Sequence, residues 1–195
     1  AAAVTAASLI VGILFSYFYT LFDIKGKAFL QIMAILACMS PPVIGAYSWI
    51  QMFGRGGIFT KLIRTAFGFR LPDIYGFGGI VIVITCQLFP LVFLYINGAL
   101  KNIDNSLLEA SSGLGCNSFK RFFKVILPLC MPTILAAGLL VFMRAFADFS
   151  TPLLIGKGYQ TFPVMIYNAY LGEGGADRNF AAALAVVAII ITAIV

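Results

Sequence analysis

The sequence predicts an all-α, polytopic membrane helix bundle, and three observations carry that expectation. Only 10% of the residues are charged and 62% are hydrophobic, whereas an ordinary soluble domain carries about 25% charged residues. The mean hydropathy is +1.03. The apolar residues also gather into runs close to the roughly 20 residues a helix needs to cross a bilayer. Short polar connections separate these runs, and at least five spans are expected.

The first span is Ala1–Phe22, which holds no charge. It lacks a basic leader, and it is longer than the core of about 7–15 residues found in a signal peptide. Asp23–Lys27 is a polar connection. Ala28–Phe53 is the second span, interrupted at Pro41-Pro42, where two missing amides and ring clash predict a kink or a locally unwound turn. Such a break either follows from packing or lines a wet cavity.

Gly54–Gly78 is a longer, glycine-rich connection carrying Arg55, Lys61, Arg64 and Arg70. Within it Phe59, Leu62, Ile63, Ala66 and Phe67 share one helical face with Lys61 and Arg64 opposite, the pattern of a helix lying in the bilayer interface. Gly79–Leu100 is the third span, with Pro90 near its middle, and Met131–Phe149 is the fourth. Arg144 and Asp148 stand at i, i+4 towards its far end, so a continued helix puts them on one face. They are either a mutually satisfied pair at the outer interface or, with Pro152, part of the mouth of a substrate pathway. Ser150–Phe180 is more polar, with an apolar run Phe162–Leu171 that reads as an interfacial or re-entrant helix. Ala181–Val195 opens a fifth span. The absence of an initiating methionine and the stop inside an apolar run suggest a piece of a longer polypeptide, residues 1–195 forming one transmembrane domain.

Composition disfavours several function classes. There is no histidine, hence no His-based metal site and no Ser-His-Asp or Cys-His catalytic arrangement. Cys38, Cys86, Cys116 and Cys130 are widely spaced without a C-x-x-C and read as small packing residues. The net charge of +6 comes from basic residues scattered over the polar connections, which suits anionic lipid headgroups and not nucleic acid. Basic residues usually favour the cytoplasm. Here Lys25, Lys27, Lys101, Lys120, Arg121 and Lys124 on one side balance Arg55, Lys61, Arg64, Arg70, Lys157 and Arg178 on the other, so charge does not orient the chain.

The stretch Asn105–Pro132 has the clearest internal design. Ser106-Leu107-Leu108-Glu109 has capping-box spacing, Gly113 and Gly115 break the helix, and Asn117 or Ser118 can cap a second one. There Phe119, Phe122, Phe123 and Ile126 fall on one face at i, i+3, i+4, i+7, with Lys120, Arg121 and Lys124 opposite. Glu109-Ala110-Ser111, three residues, Gly115, nine residues, then Val125-Ile126-Leu127-Pro128 resembles the EAA signature of ABC-importer permeases, E-A-A-x3-G-x9-I-x-L-P. Ser111 and Val125 depart from it by small changes of size. Ile103-Asp104-Asn105-Ser106-Leu107 resembles the family's lead-in. Ala147-Asp148-Phe149-Ser150-Thr151-Pro152 and Pro72-Asp73-Ile74-Tyr75-Gly76 are similar to runs in the ferric-iron, polyamine and aminoethylphosphonate subgroup.

The resemblance implies a type I ABC-importer permease fold and sets the topology. Asp23–Lys27 and the coupling loop Lys101–Leu129 would face the cytoplasm, and Gly54–Gly78 and Ser150–Phe180 the outside of a bacterial inner membrane. It implies a cytoplasmic ABC ATPase dimer as partner, gripping Glu109, Ala110, Ser111 and Gly115, with Leu127 and Pro128 leading into the fourth span. It also implies an extracytoplasmic substrate-binding protein and a second permease half, fused or separate. No G-x-x-x-x-G-K-[ST] occurs, and Gly156-Lys157-Gly158 lacks that spacing. ATP and magnesium are therefore expected on the partner ATPase, with no cofactor and no enzymatic activity in this chain. The cargo leans to ferric iron, with polyamine and phosphonate open. An ion-gradient-driven carrier or channel is the alternative, since broken helices and intramembrane charges suit it too. Replacement of Gly115 by a bulky residue is expected to uncouple transport while the protein still reaches the membrane. Normal substrate-dependent ATP hydrolysis in such a variant would contradict this.

Overall fold

The computed structural model describes residues 1–21, 26–68, 73–103, 117–171 and 177–194, and among them every regular element is helical. In chain order these are α1 (Ala2–Leu21), α2 (Lys27–Met39), α3 (Pro42–Phe53), α4 (Ile58–Phe67) and α5 (Phe77–Lys101). Then come α6 (Ser118–Arg121), a π-turn (Phe122–Ile126), α7 (Leu127–Leu129), α8 (Met131–Ala147), α9 (Ser150–Ile155), α10 (Phe162–Leu171) and α11 (Arg178–Ile194). Two of the described helices, Ala2–Thr20 and Phe77–Lys101, are each long and apolar enough to cross a membrane. Two bent pairs raise that number to as many as four, and α11 is a shorter apolar helix of 17 residues.

The expected kink at Pro41-Pro42 is in fact a corner. One helix ends at Met39 and another starts at Pro42, so Ala28–Phe53 is not one continuous helix. A residue that precedes proline is driven out of the α region, and Pro41 accordingly sits at φ −62°, ψ 134°. Pro42 then starts α3 at a position where a missing amide costs nothing. The Gly45 amide resumes the ladder on the Pro41 carbonyl at 3.0 Å. The other expected elements appear nearly as read. The stretch expected to lie in the interface forms the helix α4, with Ile58 and Leu62 exposed and a left-handed Gly68 cap (φ 65°). Phe162–Leu171 is α10. The last span begins three residues early, because Asp177 caps it through the Phe180 amide at 3.0 Å.

The described helices divide between two compact units. One comprises Ala2–Met39 and Thr85–Val141. In it α1 lies close against α5: a Cβ on Gly12 would meet Val92 at 2.6 Å, so only glycine allows the approach. Phe15 packs edge-on against Phe89 and Phe93, at 5.9 and 5.0 Å, and Tyr19 against Phe93 at 5.1 Å. Phe93 is completely buried, and α8 contributes the buried stripe Ile134, Ala137 and Val141. The buried Ser16 hydroxyl donates back to the Gly12 carbonyl at 2.8 Å, which removes an unpaired polar group from an apolar interface.

The other unit comprises Ser40–Ile84 and Phe142–Val195, with Ala1. Here α9 packs on α3, and α10 on α11. Trp49, Phe53 and Phe59 stack in series at 5.2 and 5.3 Å across the α3–α4 turn. The Gly76 amide donates to the Ile155 carbonyl at 2.9 Å, and Phe77 lies 5.1 Å from Tyr159. These two contacts tie the approach to α5 to the segment after α9.

Candidate functional site

Of the residues expected to meet an ATPase, Glu109, Ala110, Ser111 and Gly115 lie outside the described residues, as does the Ser106–Glu109 capping box. Leu127 and Pro128 are described, and they end an arm that begins at Asn117. The Asn117 carbonyl receives the first helical bond, from the Arg121 amide at 2.8 Å. Phe122 and Ile126 are buried, whereas Phe119, Phe123, Lys120 and Lys124 are exposed. The apolar face expected from the 3.6-residue period therefore exists, but only its central residues are covered.

The arm is not a uniform α-helix. The Leu127 amide donates to the Phe122 carbonyl, five residues back, and Phe122–Ile126 forms a π-turn. Pro128 supplies the physical reason. In an α-helix its ring would strike the Lys124 carbonyl, and it has no amide to offer that carbonyl. A turn closed by i→i−5 bonds is wider and moves the obstructing carbonyl away. After Cys130 the chain bends by 69° into α8. Pro128 thus shapes the arm as well as ending it.

At the far end of α8, Arg144 and Asp148 do not form the pair that their spacing allows. The helix stops at Ala147, so the i, i+4 geometry is lost before Asp148. The Asp148 carboxylate turns forward instead. Its Oδ1 accepts the amides of Ser150 at 3.0 Å and Thr151 at 3.2 Å, supporting the first turn of α9. Pro152 is buried in that helix, and its carbonyl receives the Gly156 amide at 2.8 Å. Arg144 is exposed, and among the described residues no ion pair holds it. The structure therefore brings Asp148 and Pro152 together in one helix start and leaves Arg144 apart.

A second charged group was not anticipated from the sequence. Asp73 Oδ2 accepts Arg55 Nη2 at 2.9 Å and Nε at 3.2 Å, and also Lys157 Nζ at 3.3 Å. The Arg55 guanidinium also lies over the Tyr75 ring, 5.6 Å from its centroid. Lys157 reaches Asp73 from a tight turn closed by the Tyr159 amide on the Gly156 carbonyl at 2.9 Å. Its two central residues, Lys157 and Gly158, have φ of 43° and 91°. A positive φ is uncommon for lysine and carries local strain. Arg55 is 18 residues from Asp73 and Lys157 is 84 away, so no local pattern announces the group. Among the described residues no cluster of three His, Cys, Asp or Glu side chains could hold a metal ion.

The model for "Binding-protein-dependent transport system inner membrane component" matches residues 12–195. The chain belongs to that family of ABC-importer permeases. The ferric transport system permease protein of Actinobacillus pleuropneumoniae is 34% identical over 161 residues, which is 82% of this chain and 23% of that protein. A Salmonella typhi protein named for 2-aminoethylphosphonate transport is 27% identical over 192 residues, 96% of this chain and 66% of that protein. The chain thus spans about a quarter of the length of the ferric relatives. The structure of a bacterial alginate ABC transporter in complex with a periplasmic protein carrying alginate pentasaccharide matches with a TM-score of 0.77. Its sequence identity is 18%, and the match covers 98% of this chain and 73% of that one.

The Arg55 and Lys157 cations hold the Asp73 carboxyl below its ordinary value, the Arg55 hydrogen bond contributing most. A lowered folded-state pKa gives stability that is present above the unfolded value, about 4. It is lost as pH falls through the folded value. Wild-type protein is expected to melt above Asp73→Asn at neutral pH and to lose that lead on acidification below about pH 4. Melting curves of the solubilised proteins check this, and a gap independent of pH would contradict it.

Proposed function

We propose that this chain is the membrane-spanning permease part of an ATP-driven importer. In this reading it forms the substrate path and takes its movement from a separate ATPase dimer. The observation that carries the reading is the arm 117–129, which follows the EAA-like loop directly and leads through a single bend into α8. A bent, aromatic-faced lever between a docking loop and a span is what a subunit needs if nucleotide is handled elsewhere. Closure of the ATPases around ATP and magnesium would move the docked loops and shift the membrane part between inward and outward access, each ligand favouring the state it binds better. The family match supports an inner-membrane, multi-pass setting with the bilayer around it. An extracytoplasmic binding protein would deliver the cargo, and a second permease half would complete the path.

The cargo reading leans to ferric iron, supported by the ferric relatives and by the run Ala147–Pro152. The deciding experiment loads proteoliposomes of the complete transporter with ATP and supplies iron-loaded binding protein outside. Uptake that needs internal ATP and ignores ion gradients is expected. Uptake driven by an ion gradient without ATP would replace this reading with that of a secondary carrier.

Within the path, Arg144 is the residue of interest. It stands on α8 beyond the exposed leucines Leu135, Leu139 and Leu140, and a guanidinium turned towards lipid carries a desolvation cost. A place on the substrate path or against the second half avoids that cost. Arg144→Ala is expected to lower uptake without lowering the melting temperature. Asp148→Ala, which removes a helix cap, should cost about 1 kcal/mol of stability. Uptake unchanged in Arg144→Ala would remove Arg144 from the path.

A further inference from the structure

Three phenylalanines of the arm converge on one side chain of α1. The Tyr17 ring lies 4.6 Å from Phe122 at an interplanar angle of 73°, 6.1 Å from Phe119 and 6.3 Å from Phe123. Phe119 and Phe123 lie 4.7 Å apart, and Phe122 and Phe123 5.4 Å. Edge-to-face pairs at these separations attract beyond the area they bury. Phe122, at their centre, is only 2% exposed. The cluster is therefore packed on the arm at its π-turn, where Pro128 sets the backbone path.

Across α1, Phe15 and Tyr19 are two residues from Tyr17 on either side and thus on the opposite face of the helix. They are the residues that pack on Phe89 and Phe93 of α5. At Gly12 the two helices approach too closely for even a methyl group. One face of α1 is thus held by the arm, through the buried Phe122, and the other by α5, through the buried Phe93. We propose that Tyr17 is a positioning residue through which α1 takes up the movement of the arm and passes it to α5. The ATPase then drives two routes into the membrane, one through the 69° bend into α8 and one through Tyr17. This rests on the coupling role proposed above.

The test uses the complete transporter in proteoliposomes, with Cys38, Cys86, Cys116 and Cys130 replaced by serine. Nitroxide labels are placed at Leu14→Cys on the exposed side of α1 and, separately, at Leu139→Cys on α8. Trapping the ATPase closed with ATP and vanadate is expected to change the spectra of both labels. Tyr17→Ala should cut the fraction of α1 labels that respond by about five-fold, the low end for a coupling between sites, while the α8 label still responds. Tyr17→Phe, which keeps the ring, should restore the α1 response. An α1 label that responds fully in Tyr17→Ala overturns the inference and leaves the coupling role standing. If neither label responds without any substitution at Tyr17, the coupling role itself fails. Loss of both responses in Tyr17→Ala makes Tyr17 a folding residue and also overturns the inference.

Discussion

A backbone amide or carbonyl buried away from water must be paired within the protein, so each departure from regular helical geometry needs a partner. That constraint organises the described chain. At the Pro41-Pro42 corner the Pro41 carbonyl is taken up by the Gly45 amide. In the arm, a ladder that cannot close on Pro128 closes one residue further back, from Leu127 to Phe122. Beyond α8 the orphan amides of α9 are met by a carboxylate, Asp148. The breaks are where the chain changes direction, and the functional readings collect around them.

Three prolines show how strongly context decides the outcome. Pro90 lies inside α5, which continues unbroken for 25 residues. Val92 and Phe93, both fully buried, anchor that stretch, so packing holds the helix through one lost bond. Pro42 comes after α2 has ended at Met39 and begins a new helix. Pro128 comes after a turn in which Phe122 and Ile126 are buried. The arm therefore widens locally and keeps those side chains in place.

Much of this was legible in the sequence because hydrophobic length and period report local geometry directly. The run Phe162–Leu171 became a helix with those ends, and the stretch Ile58–Phe67 folded as a helix too. The arm's apolar stripe was legible as well, because Phe119, Phe122, Phe123 and Ile126 are close in the chain. What it packs against was not: Tyr17 lies a hundred residues away in a span where every large residue reads as packing. The same separation hid Asp73 and its two cations. The Arg144–Asp148 pairing failed for a local reason. Spacing predicts a shared face only while the helix lasts, and α8 ends one residue before Asp148.

The fate of the acidic groups sets the charge that this part of the chain presents. Asp73 is shared by Arg55 and Lys157, Asp148 is engaged by two amides, and Asp177 receives the Phe180 amide. Arg144, by contrast, is exposed without an ion pair among the described residues. In the unit that holds Ser40–Ile84 and Phe142–Val195, the described carboxylates are therefore occupied while cationic donors remain. Such a surface repels a bare trivalent cation and attracts an anionic complex or an acidic protein face.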